Sequence, residues 1–260
     1  MAAAAFIRPY KPSDFAATAH IVSGALSSVT QLLTAPQPTK CRATLPPGLA
    51  ESEPAIRLAP YIWTHQYTLL SPSTCFVLDD GSGAAVGYVI GCPDVFAFAD
   101  GYQRYVDEVL LRPAAGGDGA AVPPPQQLDR LEPWFVSGGA GGGVNEECLR
   151  QLAHSPRFLL LEEGEGKAGL VGTYRATMHI DLLEGWQGQG WGRKMIEGFV
   201  ASVRDAVRGG GAGLDCGRGV HIGVAWENKK VVPFYEKVGF RVYEGGQREG
   251  GTIWMVYEFV

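Results

Sequence analysis

Cysteine is sparse and unpaired. The five cysteines, Cys41, Cys75, Cys92, Cys148 and Cys216, are odd in number, scattered, and never form a C-x-x-C pair. That argues against a disulfide framework and against a zinc site, so no metal is expected and a reducing compartment is. No run of about 18 apolar residues exists to span a bilayer. The start, Met1-Ala-Ala-Ala-Ala-Phe-Ile-Arg, lacks a basic stretch followed by a long apolar one, so it is not read as a signal peptide. Positive charge is also wanting. Lysine and arginine number 22 against 27 aspartates and glutamates, a net charge of −5, and no basic field covers the chain. Nucleic acid is therefore not expected as the main partner. The expectation is an intracellular protein, cytoplasmic or nuclear, with no membrane partner.

What is present suits a globular chain. Of 260 residues, 46% are apolar and 19% charged, which is ample for a buried core. Phe6 to Pro9 reads as a short strand, and Ser13 as the N-cap of a helix to about Leu26. Residues 33–54 read as loop. Ile56 to Leu70 reads as helix, carrying Tyr61, Trp63 and Tyr67. Cys75 to Leu78 and Val86 to Gly91, joined through Gly81-Ser82-Gly83, read as a hairpin. Residues 113–144 hold three glycine or proline clusters and read as a flexible insertion, with Leu131 to Val136 as an anchored piece through Trp134 and Phe135. A helix from Asn145 to Ala153 follows.

The last hundred residues carry the clearest pattern. Tyr174 to Leu183 alternates as a strand. In Trp191 to Val207, Met195, Phe199 and Val203 recur every four residues with Ile196, Val200 and Val207 beside them, the mark of an amphipathic helix. Val220, Ile222 and Val224 alternate as a strand. A helix opens at Asn228 and closes near Gly239, with Pro233 implying a late or kinked start. Residues 240–244 and 252–259 read as a closing hairpin.

Gln187-Gly188-Gln189-Gly190-Trp191-Gly192 joins a strand to a helix. Glycines there let backbone N–H groups converge, and the helix start adds unsatisfied donors and a positive dipole end, which together suit a pyrophosphate. The dinucleotide fingerprint G-x-G-x-x-G fails at Arg193, and a P-loop lysine followed by serine or threonine is missing. The pattern that fits is Gln-x-x-Gly-x-Gly at Gln187, Gly190 and Gly192.

The run from His179 to Arg193 resembles the acetyl-coenzyme A motif of the GNAT superfamily of N-acetyltransferases. Asn228-x-x-Val231-x-x-Phe234-Tyr235-x-x-x-Gly239-Phe240 resembles that superfamily's second motif. Phe76 to Asp80, Gly87 to Asp94 and His179 to Leu183 are similar, phrase by phrase, to acetyltransferase-like domains related to O-GlcNAc hydrolases. The resemblance implies an α/β (α+β) GNAT fold: a mixed central sheet flanked by helices, with a splayed strand pair at the cofactor, in a single domain over 1–260.

It also implies acetyl-CoA as cofactor, held by Leu182, Leu183, Gln187, Gly188, Gln189, Gly190, Trp191, Gly192, Arg193, Asn228 and Tyr235. The backbone at Leu182-Leu183 would meet the acetyl carbonyl. Tyr235 would give the departing thiolate its proton, with Phe234 beside it facing the core. The base stays open among His179 and Asp181, two apart on one strand face, and Glu184, Glu227 and His221. The acceptor would be a primary amine, on a small molecule such as an amino sugar or on a protein lysine. Tyr61, Trp63, Tyr67, Asp94, Phe96 and Phe98 are candidates for its cleft. A homodimer is one assembly this reading allows. The alternative is a catalytically weak module that binds acetyl-CoA.

Overall fold

The structure is a computed structural model and describes residues 4–24, 49, 52–113, 119–136, 143–162, 167–209, 213–244 and 251–259. Most of the loop read over 33–54 lies outside them. So do Cys41, the glycine runs at 114–118 and 137–142, and residues 210–212.

Seven strands form one mixed sheet in the order β1-β2-β3-β4-β5-β7-β6. They are β1 (Phe6–Pro9), β2 (Phe76–Asp79), β3 (Ala85–Cys92), β4 (Ala176–Leu182), β5 (Gly219–Ala225), β6 (Arg241–Val242) and β7 (Thr252–Glu258). Every neighbour pair is antiparallel except β4 with β5, which runs parallel. The mixed sheet with flanking helices is the fold class expected from the sequence.

The helices are α1 (Phe15–Gly24), α2 (Glu53–Trp63), α3 (His65–Leu70), α4 (Val95–Asp100), α5 (Tyr102–Tyr105), α6 (Glu146–His154), α7 (Lys167–Thr173), α8 (Trp191–Arg208) and α9 (Val232–Lys237). The single helix expected over Ile56 to Leu70 breaks at Thr64, between α2 and α3. Pro60 removes one helix donor, and the Thr64 hydroxyl donates back to the Pro60 carbonyl at 2.8 Å. That side-chain bond competes with continuing the helix. The helices α4, α5 and α7 have no counterpart in the sequence reading.

The sheet divides the interior. One core gathers α1, α2 and α6 against Tyr88, Ile90 and Cys92 of β3. The other gathers α8 against Val89, Met178, Val220, Ile222 and Met255. The apolar stripe Met195, Ile196, Phe199, Val200, Val203 of α8 is fully inside, as its spacing requires. Gly91 makes this approach feasible. A Cβ there would stand 2.0 Å from the Thr177 carbonyl oxygen and 2.8 Å from the Phe199 ring. The described residues of the 113–144 stretch touch the first core. Val122 is fully buried, Leu131 and Trp134 pack against it, and Phe135 is exposed. No helix among the described residues is long and apolar enough to cross a membrane.

Two buried histidines tie the fold to pH. Burial pushes His65 down to about 3 and His221 down to about 4, from a usual value near 6.5. A histidine held neutral in the fold but free to protonate when unfolded contributes fully above about pH 6.5. The contribution is lost as pH falls toward the folded-state value. Between pH 7.5 and pH 5 each should cost about 2 kcal/mol of stability. Urea unfolding at the two pH values should record a loss of at least about 4 kcal/mol, since burial lowers His154 and His179 as well, with about 2 kcal/mol of it removed in His221→Gln. Equal stability at both pH values would contradict this assignment.

Candidate active site

The parallel strands β4 and β5 are paired only at Ala176–Val220 and Thr177–His221. Beyond those two positions both continue, to Leu182 and Ala225, but no longer side by side. Each is held on its outer side instead, β4 by β3 and β5 by β7. The gap is a cavity of about 500 Å³. Met178 to Leu182 form one wall and Ile222 to Ala225 the other. The glycine loop and α9 close the rest.

The ladder also decides which strand-end donor faces the gap. Leu183 N–H donates to the Val86 carbonyl at 2.9 Å, so it is committed to β3. Donors alternate sides along an antiparallel strand, so Leu182 N–H points the other way, toward the side β5 has left. Of the two expected donors, Leu183 is thus placed away from the gap and Leu182 toward it.

The loop follows at the cavity's end. Gly188 (φ 72°) and Gly190 (φ 82°) adopt the left-handed conformation, which residues with a Cβ avoid. Gly190 is the N-cap of α8, an 18-residue helix whose first N–H groups carry no internal partner. Two glutamines tie the loop to the strand end. Gln187 Nε2 donates to the Leu182 carbonyl at 2.8 Å, and Gln189 Nε2 to the Gly185 carbonyl at 2.7 Å. Arg193 donates to the Lys237 carbonyl at 2.7 Å, joining α8 to the end of α9. Gln187, Gly188, Gly190, Gly192 and Arg193 line the cavity. Gln189 and Trp191 do not. Gln189 is turned to Gly185, and Trp191 packs against the α8 core under the Lys194 ammonium.

Three polar side chains meet beside the gap. His179 and Asp181 lie on one face of β4, as their spacing of two implies, and both line the cavity. Between them stands Tyr88 of β3, fully buried, which the sequence reading did not single out. Its hydroxyl donates to Asp181 Oδ2 at 2.8 Å and lies 3.0 Å from His179 Nδ1. The histidine and carboxylate are themselves 3.9 Å apart. Burial lowers His179 below the usual histidine range, opposed by the Asp181 charge. Burial, then Asp181, raises Tyr88 well above the usual phenol value, so it stays protonated.

Tyr235 of α9 is half-buried and lines the cavity. Burial, then the Asp181 charge, raises its hydroxyl well above the usual value. Phe234 corrects an expectation: it does not face the core. It is 38% exposed, lines the cavity, and lays its ring over Gly192, 3.0 Å from where a Cβ would stand. Asn228 lines the cavity too, but does not cap α9. It sits with φ −102° and ψ 16° inside the turn Trp226–Val231, and α9 starts after that, with Pro233 in its first turn.

The other candidates fall elsewhere. Glu184 and Glu227 are exposed, away from the cavity. His221 is buried with Nδ1 2.7 Å from the Tyr174 carbonyl. Asp94 caps α4 and takes a bidentate contact from Arg175, with a distance of 2.7 Å to Oδ2. Phe96 lies under the same Arg175, and Tyr67 stacks on Phe98 in the core. None of Tyr61, Trp63, Tyr67, Asp94, Phe96 and Phe98 lines this cavity.

No family model matches the chain. Among solved structures, the crystal structure of SsHAT is similar over 98% of both chains, with 26% identity and a TM-score of 0.64. A crystal structure described as an acetyltransferase covers 97% of this chain and 98% of its own, at 16% identity and a TM-score of 0.46. A GCN5-related N-acetyltransferase from Kribbella flavida covers 98% of both, at 13% identity and 0.42. SsHAT and this chain share a fold; the two fainter likenesses add nothing to that.

The loop geometry is testable without any ligand. A Cβ at Gly190 would meet no atom within 4 Å, so the cost of Gly190→Ala is conformational alone. It should be about 1 kcal/mol, read by urea unfolding. Gly198→Ala, at a half-buried position inside α8 where a Cβ would also meet no atom within 4 Å, should instead gain up to about 1 kcal/mol.

Proposed function

We propose that this chain is an acetyl-CoA-dependent N-acetyltransferase acting on a primary amine, of a small molecule such as an amino sugar or of a protein lysine. The observation that carries the reading is the parting of β4 and β5. It turns the Leu182 N–H toward a cavity that the glycine loop and Tyr235 also line. Both runs that resemble the GNAT motifs, His179 to Arg193 and Asn228 to Phe240, meet at that cavity. The phrases similar to O-GlcNAc hydrolase-related domains fall on β2, β3 and β4, and a kinship with those domains is part of the proposal. So are a single domain over 1–260 and an intracellular location.

The residues present fit the cofactor. Gly188 and Gly190 leave open space where side chains would stand, at the start of a long helix, which is what a pyrophosphate needs. Gln187 to Arg193 would hold that end, and Asn228 and the Leu182 backbone the arm. Bound acetyl-CoA would supply an acetyl group activated as a thioester. Leu182 N–H offers a fixed donor where charge gathers on a carbonyl oxygen. His179, unprotonated at neutral pH, accepts the proton of the attacking amine. Asp181 supplies negative charge that draws a cationic acceptor into the cleft. Tyr235 keeps its proton at neutral pH and can give it to a leaving sulfur.

Calorimetry with the full chain tests cofactor binding, and thiol release with an amine panel tests turnover. The panel should include glucosamine, polyamines and histone peptides. Gly190→Asp should abolish acetyl-CoA binding, since it adds strain and a like charge. Tyr235→Phe should lower kcat by about 10², the scale of one general acid, with affinity unchanged. Because burial depresses His179, the acid limb of kcat/KM should lie below that of a free histidine, and His179→Ala should lose that limb. Tight binding with no turnover of any amine would favour the binding-module alternative. Absence of binding would overturn the reading.

A further inference from the structure

We infer that Tyr88 is a positioning residue that holds His179 in one tautomer, with the proton on Nδ1 and the lone pair on Nε2, so that Nε2 is the atom that takes up a proton. The use of this arrangement rests on the acetyltransferase reading; the arrangement itself does not.

The number of hydrogens available decides the tautomer. A phenol carries one. A carboxylate has none to give, so the 2.8 Å contact between the Tyr88 hydroxyl and Asp181 Oδ2 uses it. Toward His179 the same oxygen then presents only a lone pair. The 3.0 Å contact to Nδ1 is a hydrogen bond only if Nδ1 is the donor. A neutral imidazole has a single ring proton, so Nε2 is left bare. No second arrangement satisfies both contacts while Asp181 is ionised and Tyr88 is not. Tyr88 cannot readily ionise, being fully buried beside a carboxylate.

The fold places the phenol for this task. Tyr88 is the cross-strand partner of Asp181, and Ile90 is the partner of His179. The two β4 side chains stand one pleat apart on the face Tyr88 shares, and its hydroxyl spans them. Directly, Nδ1 and Oδ2 are 3.9 Å apart, beyond hydrogen-bond reach. The phenol thus relays the carboxylate's influence and separates the two groups. A direct pair would favour a charged imidazolium, which could not act as a base. The tyrosine ring also lies nearly parallel to the imidazole, 22° between planes with centroids 5.7 Å apart, which limits its swing. The other titratable or charged groups around this cavity are Asp181 of β4, Tyr235 and Lys237 of α9, and Arg193 of α8.

The test uses the full chain with 15N-labelled histidine rings, the His179 signals being assigned by their loss in His179→Gln. Long-range proton–nitrogen correlation reads which ring nitrogen is protonated. The wild type should show Nδ1 protonated at neutral pH, and Tyr88→Phe, which keeps the ring, should show a tautomer mixture. In kinetics the same variant should lower kcat about 10-fold or more while the KM for acetyl-CoA stays within about twofold. Protonation of Nε2 in the wild type overturns the inference outright, whether or not any variant folds. So does an unchanged tautomer in a folded Tyr88→Phe. If acetyl-CoA fails to bind the wild type, the acetyltransferase reading falls, and the nitrogen spectra still decide this one.

Discussion

Everything at the site depends on two strands that start together and do not stay together. Their shared base is firm. Thr177 and His221 are paired, and the Thr177 hydroxyl donates to the His221 carbonyl at 3.1 Å. His221 in turn is fixed through Nδ1 to Tyr174, below the split. Above it, β4 keeps its ladder with β3 and β5 its ladder with β7, so neither strand frays when its inner neighbour is lost. The right-handed twist of strands gives such a parting its direction. What it leaves is a row of inner-edge backbone groups facing a cavity rather than a neighbouring strand, with the Leu182 carbonyl met by Gln187. Buried groups of that kind are costly unless water or a ligand meets them.

The same cavity shifts His179 and Tyr235 in opposite directions. Burial disfavours charge on both. For His179 that means losing a proton more readily, and for Tyr235 keeping one more firmly. Near neutral pH one side chain is therefore ready to accept a proton and another to donate one, without either needing an unusual neighbour. Asp181 acts on both from one place. It raises Tyr235 further and partly restrains the fall of His179.

Local sequence made part of this legible. The stripe on α8, the glycines at its start and the pair His179 and Asp181 are short-range patterns, and each falls where its spacing implies. Tyr88 was not legible. It stands in β3, where every residue from Ala85 to Cys92 is buried. Alternation there cannot say which side chains face a site. Its partners are 91 and 93 residues away, so only strand register brings them together. Phe234, expected in the core, stands at the cavity beside Tyr235 instead. The turn at Trp226–Val231 delays α9, and the helix's phase follows from that delay rather than from the spacing to Asn228. The acidic and aromatic residues around Asp94 looked like an acceptor cleft because sequence cannot foresee Arg175 neutralising Asp94 from 81 residues away.

Gly91 has a bearing on the site that its position hides. With no side chain there, the Phe199 ring settles directly on the β3–β4 ladder and sets how close α8 lies to the sheet. Phe199 is nine residues from Gly190, about 13 Å along the helix axis. A helix transmits displacement along its length with little loss, so the depth of that ring, with Met195 and Ile196 seated beside it, helps set the height of the loop at the helix start. The atom nearest to such a side chain would be the Thr177 carbonyl oxygen of β4, at the last position where β4 is still paired with β5. A methyl group at Gly91 would thus press on strand and helix at once, and the strain would reach the mouth of the cavity from a residue that does not line it.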